Sequence, residues 1–225
     1  ALANLARDDD NRDMIVGSKG IAAIVAAMQS HGFYAQVQEY GCLALSNLAE
    51  FKMNNCEAIS AGNGIRTIVS AMQKNLFVAE IQANACLALS NLAWDNINGR
   101  EAIASANGVP AVIGAMRHHL ATVDVQESGV VILSYLAEFN DSHCRSIAAC
   151  DGIQIVVTAM KQHRTRPRLQ RFAALLFKHL AKHHRVAVRD AGGTKMVKRA
   201  MKDFGNDANL QWDADRALEQ LEKEE

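Results

Sequence analysis

Ala44-Leu45-Ser46-Asn47-Leu48-Ala49 is followed 44 residues later by the identical string Ala88-Leu89-Ser90-Asn91-Leu92-Ala93. Working outward, the same frame takes in Ala1 to Ala6, Ile132 to Ala137, Leu176 to Ala181 and Ala217 to Glu222, with starts at 1, 44, 88, 132, 176 and 217. Other columns keep this register. Glycine recurs at Gly20, Gly64, Gly108, Gly152 and Gly193; methionine at Met28, Met72, Met116, Met160 and Met201; glutamine at Gln38, Gln82, Gln126, Gln170 and Gln211. A period of this length marks stacked helical repeats, in which each unit contacts mainly its neighbours and the working surface runs along the stack.

Composition agrees. Hydrophobic residues make up 49% of the 225, with two prolines and 5% aromatics. That suits close-packed helices with small residues at their contacts. No apolar run approaches the ~20 residues of a membrane span, and no charged-then-apolar leader opens the chain, so a soluble protein of the cytoplasm or nucleus is expected. Five cysteines is an odd number, and Cys42 and Cys86 share one repeat column while Cys56 and Cys144 share another. They read as small buried hydrophobes, without a disulfide framework.

Within one unit, Asn11 to Val16 is expected to form a short first helix ended by Gly17 and Gly20. Ile21, Ile24, Val25 and Met28 fall at helical spacing and define a second helix from Gly20 to Met28. In a later repeat Pro110 sits in the first turn of that helix, where its missing N–H costs nothing. A third helix is expected from Ala35 to Glu50. Its buried face is Val37, Gly41, Ala44, Leu45 and Leu48. A second stripe, Tyr40, Leu43, Asn47 and Glu50, lies about a quarter-turn away, and its columns vary between repeats as a recognition surface would.

Three helices per unit, a glycine between the first two and an L-x-N-L-A third helix resemble the armadillo family over nearly the whole chain. Two-helix HEAT units lack this glycine and asparagine pattern, and tetratricopeptide units are shorter. The resemblance implies an all-α, right-handed superhelical solenoid of about five three-helix repeats, forming a single domain over 1–225. The expected frame is a partial repeat at 1–10, then repeats at about 11–54, 55–98, 99–142, 143–183 and 184–225. The last is expected to act as a C-terminal cap, its outer face carrying Asp213, Asp215, Arg216, Glu219, Glu222, Glu224 and Glu225. Ala1 already falls inside a third helix, as in a piece of a longer array. The last spacing shortens by three residues between Ala181 and His184.

Third helices of armadillo proteins line a concave groove, where a recurring asparagine hydrogen-bonds the backbone of an extended peptide. The matching column here is Asn4, Asn47, Asn91, Tyr135, His179 and Gln220. An amide donates and accepts at once and so satisfies one peptide N–H and C=O together. The resemblance therefore implies a groove formed by Asn47, Asn91, Tyr135 and His179, with Tyr40, Asn84, Leu87, Trp94, Glu50 and Glu138 setting specificity. The residues alone also allow the asparagines to brace neighbouring turns, and Trp94 to cover the next repeat. Nuclear-import receptors of the family carry a tryptophan four residues before the asparagine. Here that column holds Leu43, Leu87, Val131, Leu175 and Arg216, which argues against nuclear-signal binding. Glu39, Glu50, Glu127 and Glu138 favour a basic or neutral peptide, or are solvated helix charges.

Net charge is zero but unevenly placed: Met160 to Lys202 hold thirteen Lys and Arg against Asp190 alone, and residues 203–225 hold eight acids against two bases. The basic stretch is Arg164, Arg166, Arg168, Arg171, Lys178, Lys182 and Arg185. It would attract an anionic membrane or an acidic protein, or be balanced by the acidic tail folding against it. Nucleic acid is not expected, because no recognition signature accompanies the charge. Neither is catalysis: His118-His119 and His183-His184 point to different helix faces, and no metal motif or phosphate-cradling loop is present. The expectation is a non-enzymatic interaction module without cofactor or metal that binds an extended peptide of a partner protein. The alternatives are a basic docking face and a scaffold segment that self-stacks through its N-terminal edge.

Overall fold

A computed structural model describes residues 2–223. Ala1, Glu224 and Glu225 lie outside the described residues. The rest folds into fifteen helices. First helices of nine residues are α2 (Asp9–Gly17), α5 (Met53–Ala61), α8 (Ile97–Ser105) and α11 (Asp141–Ala149). Second helices of eleven are α3 (Gly20–Ser30), α6 (Gly64–Lys74), α9 (Gly108–His118), α12 (Gly152–Gln162) and α14 (Gly193–Asp203). Third helices are α4 (Ala35–Ala49), α7 (Ala79–Ala93), α10 (Val123–Ala137), α13 (Pro167–Asp190) and α15 (Ala208–Leu221), and α1 (Leu2–Leu5) occupies the third-helix frame ahead of them. The helices gather into two compact units, Ala1–Ala111 and Val112–Glu225.

Helix α13 is the departure from the pattern. Where the spacing shortens by three residues, the turn between a third helix and the next first helix disappears. The two run together for 24 residues, broken only by non-helical torsions at His184 (φ −130°, ψ 23°). Helix α2 starts two residues earlier than Asn11, because Asp8 caps it by accepting from the Asn11 N–H at 3.1 Å.

The recurring glycine has a different job from the turn residue assigned to it by sequence. It is the first residue of the second helix, and the left-handed position falls one residue earlier, at Lys19, Asn63, Asn107, Asp151 and Gly192. Asparagine and aspartate tolerate that conformation better than most residues. The glycine is needed for space: a Cβ on Gly64 would stand 2.8 Å from Ile59 O and against the Ile59 side chain. Gly108 meets Ile103 in the same way.

Glutamine and methionine recur because they join the second helix to the third. In the first unit, Gln38 Nε2 donates to Met28 O and His31 O, both at 2.9 Å. Gln82 does the same to Met72 O and Asn75 O, also at 2.9 Å. In the second unit Gln126, Gln170 and Gln211 each bond the matching pair of carbonyls at 2.7–3.1 Å. The last carbonyls of a helix have no partner within it; the amide supplies the methionine carbonyl and adds a second donor to the turn carbonyl, which a backbone N–H already reaches, as Tyr34 N does His31 O at 3.0 Å. The methionine side chain packs beneath, against Gly41 in one unit and Gly129 in the other.

The core lies where third helices meet second helices. Leu45, Leu48, Leu89, Leu92 and Ile68 are fully buried in the first unit, as are Leu133, Leu136, Leu176, Phe177 and Leu180 in the second. Each such side chain contributes ~1.5–3 kcal/mol. All five cysteines are free thiols, and burial pushes Cys42 and Cys86 up to about 12, so they stay protonated and inert at neutral pH.

Three substitutions test this packing by urea unfolding. Gln82→Ala removes the side-chain donor to Met72 O, while Asn75 O keeps the Val78 N–H at 3.0 Å, and is expected to destabilise the first unit by about 1–3 kcal/mol. Gly64→Ala, forced against Ile59, is expected to cost about 1–3 kcal/mol. Gly17→Ala, with nothing within 4 Å of the new Cβ, should change stability by less than about 0.5 kcal/mol. Equal effects at Gly64 and Gly17 would refute the close-approach reading.

Candidate functional site

Third helices pack side by side within each unit, α1 and α4 on α7 in sequence and α10 on α13 on α15. This places their variable stripes on adjoining surfaces. In the first unit Asn47 and Asn91 lie half-buried on that surface. Asn47 Nδ2 donates to Ala3 O at 2.7 Å, and Asn91 Nδ2 to Ser46 O at 3.1 Å and Ser46 Oγ at 3.3 Å. Each amide thus ties its helix to the preceding third helix. Asn84 Nδ2 makes a longer contact of the same kind, 3.4 Å from Glu39 O. Bracing therefore occupies part of each Asn47 and Asn91 amide. The other N–H and Oδ1 of Asn47, and Oδ1 of Asn91, remain for a further pairing.

Around them, Tyr40 and Trp94 are about half exposed at 54% and 45%, Leu43 and Leu87 are half-buried, and Glu50 is exposed. The Trp94 ring stands edge-on to Phe51 of the preceding repeat, centroids 5.6 Å apart at 86°. Sequence reading missed Phe51. It is 76% exposed and holds a left-handed φ of 53° in the turn after α4, and Phe139 holds the same turn position 88 residues later. That pair of aromatics two repeats apart was the available signal, and its lack of helical periodicity hid it.

In the second unit Tyr135 is half-buried and meets Phe172 edge-on at 5.6 Å. Arg168 and Arg171 flank the Phe172 ring at 5.8 and 5.5 Å, a cation–π arrangement. His179 stands edge-on to Phe139, centroids 6.0 Å apart. Glu138 is half-buried at the end of the same stripe.

The basic stretch is heavily paired. Arg164 makes a two-pronged contact with Asp203 at 2.6 and 2.8 Å, and Arg171 Nε meets Asp213 at 2.6 Å. Arg166 and Arg168 share Glu127, each at 3.4 Å. Lys182 and His183 both reach Asp141, at 2.7 and 3.0 Å. Hydrogen bonds from Lys182 and then His183 hold the Asp141 carboxyl below the usual aspartate range, and the Arg164 contact does the same for Asp203. Lys178 has no acid partner among the described residues, and Arg185 lies half-buried beyond the kink. The acidic C-terminal stretch therefore folds against the basic one through Asp203 and Asp213.

Burial lowers the His184 pKa, with the charges of His183 and Arg145 adding to the effect. Among the described residues no three His, Cys, Asp or Glu side chains are gathered so as to hold a metal ion. No helix among the described residues is long and apolar enough to cross a membrane.

Comparison with known proteins places this architecture. An engineered protein crystallised by the Northeast Structural Genomics Consortium superposes with a TM-score of 0.81 at 24% identity, over 98% of this chain and 87% of that one. A designed armadillo repeat protein in complex with the peptide (KR)4 matches with a TM-score of 0.79 at 13% identity, over 98% and 90% of the two chains. A computationally designed armadillo repeat protein for modular peptide recognition matches with a TM-score of 0.81 at 14% identity, over 97% and 90%. At these identities the likeness establishes the fold. No curated protein sequence matches the chain. The family model described as LRRK2 ARM repeat matches residues 4–204, and with the helix triplets, the crossing glycine and the asparagine ladder in place, the chain belongs to that armadillo repeat family.

Proposed function

We propose that this protein is a non-catalytic binding module whose third-helix surface holds an extended segment of a partner protein. The observation that carries this reading is the state of Asn47 and Asn91. Each is half-buried on the variable stripe, and each has its Nδ2 anchored to the previous third helix at 2.7 or 3.1 Å. An anchored amide loses little rotamer freedom when it pairs with a peptide backbone. The designed armadillo proteins that hold (KR)4 or were built for modular peptide recognition support the same use of the fold.

Tyr40, Leu87 and Trp94 supply apolar contact area beside the amides, and Glu50 favours a basic or neutral segment there. Each backbone hydrogen bond adds only ~0.5–1.5 kcal/mol net, so affinity requires several repeats and the side-chain pockets together. The ion pairs of Arg164, Arg166, Arg168 and Arg171 leave that part of the basic stretch largely compensated. Docking of those residues on an anionic membrane is accordingly the weaker reading.

Peptides enriched by random display on the intact chain should share a motif and lose about tenfold or more in affinity on the Asn47→Ala/Asn91→Ala double variant, the equivalent of losing one or two hydrogen bonds. Binding is to be compared where circular dichroism shows both proteins equally helical. Enriched peptides that bind the double variant as tightly as the parent would refute the role of the asparagines. A second expectation separates bracing from binding. Asn91→Asp cannot donate to Ser46 O and should lower stability by about 1–3 kcal/mol, more than Asn91→Ala, in thermal or urea unfolding.

A further inference from the structure

The fourth third helix breaks the repeat's own rules at three neighbouring positions, and all three departures meet in one place. Where earlier repeats have the buried serines Ser46, Ser90 and Ser134, it has Lys178, half-buried. His179 replaces Asn47, Asn91 and Tyr135, and Lys182 replaces Glu50, Trp94 and Glu138. These side chains, with Phe139 and Asn140 from the turn before α11, line a cavity of about 540 Å³ whose inner wall includes Ala137 and Cys144.

Phe139 is the least economical residue in that turn. The backbone needs a positive φ there, 56° at Phe139, 53° at its counterpart Phe51 and 47° at its counterpart Asp95. Aspartate, asparagine and glycine meet this need readily, whereas a bulky side chain is strained by it. Burial offers little in return, because Phe139 is 92% exposed and meets His179 only edge-on, with centroids 6.0 Å apart. Strain without burial at an exposed aromatic points to a contact made with something else.

Charge defines that contact. Among the described residues Asp141 is the one acid lining the cavity, and its carboxylate is already engaged by Lys182 at 2.7 Å and His183 at 3.0 Å. Lys178 has no acid partner among the described residues. The cavity therefore has an excess of positive charge beside an exposed aromatic face, and Lys178, half-buried, has given up part of its hydration before any ligand arrives.

We infer that this cavity is a specificity pocket for an acidic side chain, aspartate or glutamate, of an extended partner segment, with Lys178 as the charged anchor and Phe139 covering the adjoining apolar residue. The inference rests on the reading that third helices bind extended segments, but it uses only second-unit residues. The asparagines of the first unit take no part in it.

The probe is the peptide Gly-Ser-Gly-Glu-Leu-Glu-Gly-Ser-Gly, titrated by NMR into the isotopically labelled full chain, with both glutamates replaced by glutamine or by lysine as controls. The glutamate peptide should bind with shifts centred on 137–144 and 178–182 and weaken at least several-fold from low to 0.5 M salt, as a screened charge contact must. The glutamine and lysine peptides should bind about tenfold more weakly or not at all. Lys178→Ser restores the repeat's usual residue, and Phe139→Asn relieves the turn, so neither should lower the unfolding temperature, yet each should weaken the glutamate peptide several-fold or more. The Asn47→Ala/Asn91→Ala variant should bind it like the parent. Failure of the glutamate peptide to outbind its glutamine control, or unchanged affinity on Lys178→Ser, would overturn the pocket. Loss of binding on the asparagine variant alone would move the contact to the first-unit surface.

Discussion

Every repeat of this protein must end three helices inside a stack, and the carbonyls at those ends need donors that the helices cannot provide. The recurring polar residues are largely the answer to that need. Gln38, Gln82, Gln126, Gln170 and Gln211 reach back to two carbonyls at the end of each second helix. Third-helix ends are served from the first helices. Asn55 Nδ2 donates to Leu48 O at 2.8 Å, Arg100 Nε to Ala93 O at 2.9 Å, and the Cys56 and Cys144 thiols approach Ala49 O and Ala137 O at 3.3 and 3.4 Å. Arg12 Nη1 reaches forward to Glu50 O at 2.8 Å. The period thus records helix-end hydrogen bonding as much as hydrophobic packing.

This constraint also shapes the candidate surface. Asn47 and Asn91 are structural and available at once, because an amide has more pairing capacity than one brace uses. Bracing fixes the side chain in place, which suits a group that must meet a partner's backbone without reordering. The same economy governs charge. A basic helix facing solvent beside an acidic one would repel like charges within itself, and the contacts of Arg164 with Asp203 and Arg171 with Asp213 reduce that repulsion. What remains uncompensated stands out against a paired background, and Lys178 is the clearest case.

Departures from the repeat are therefore more informative about function than the repeat itself. A column that keeps its residue is serving a bond or a contact that each unit must make. A column that abandons it, as Ser46, Ser90 and Ser134 give way to Lys178, has been released from that duty. The fused helix α13 carries a further departure: with the turn removed at His184, the third helix no longer ends where its counterparts do.

Much of the architecture was legible in the order of residues. The period, the three helices per unit, their apolar faces, the site of the shortening and the armadillo resemblance all follow from spacing, because helical packing imposes a repeat that one dimension can record. The glycine column was visible while its cause was not: the left-handed residue is its neighbour, and what excludes a Cβ at Gly64 is Ile59 of the preceding helix. The partners of the basic residues were equally hidden. Arg164 lies 39 positions from Asp203, and Arg171 lies 42 from Asp213, distances that only stacking converts into contact. The same holds for Phe51 with Trp94 and Phe139 with His179, which stand in different columns of adjoining repeats. Sequence by itself determined which residues recur and hence the fold. Tertiary structure alone decided which side chains meet, because those meetings depend on how one repeat's turn comes to lie against the next repeat's helix.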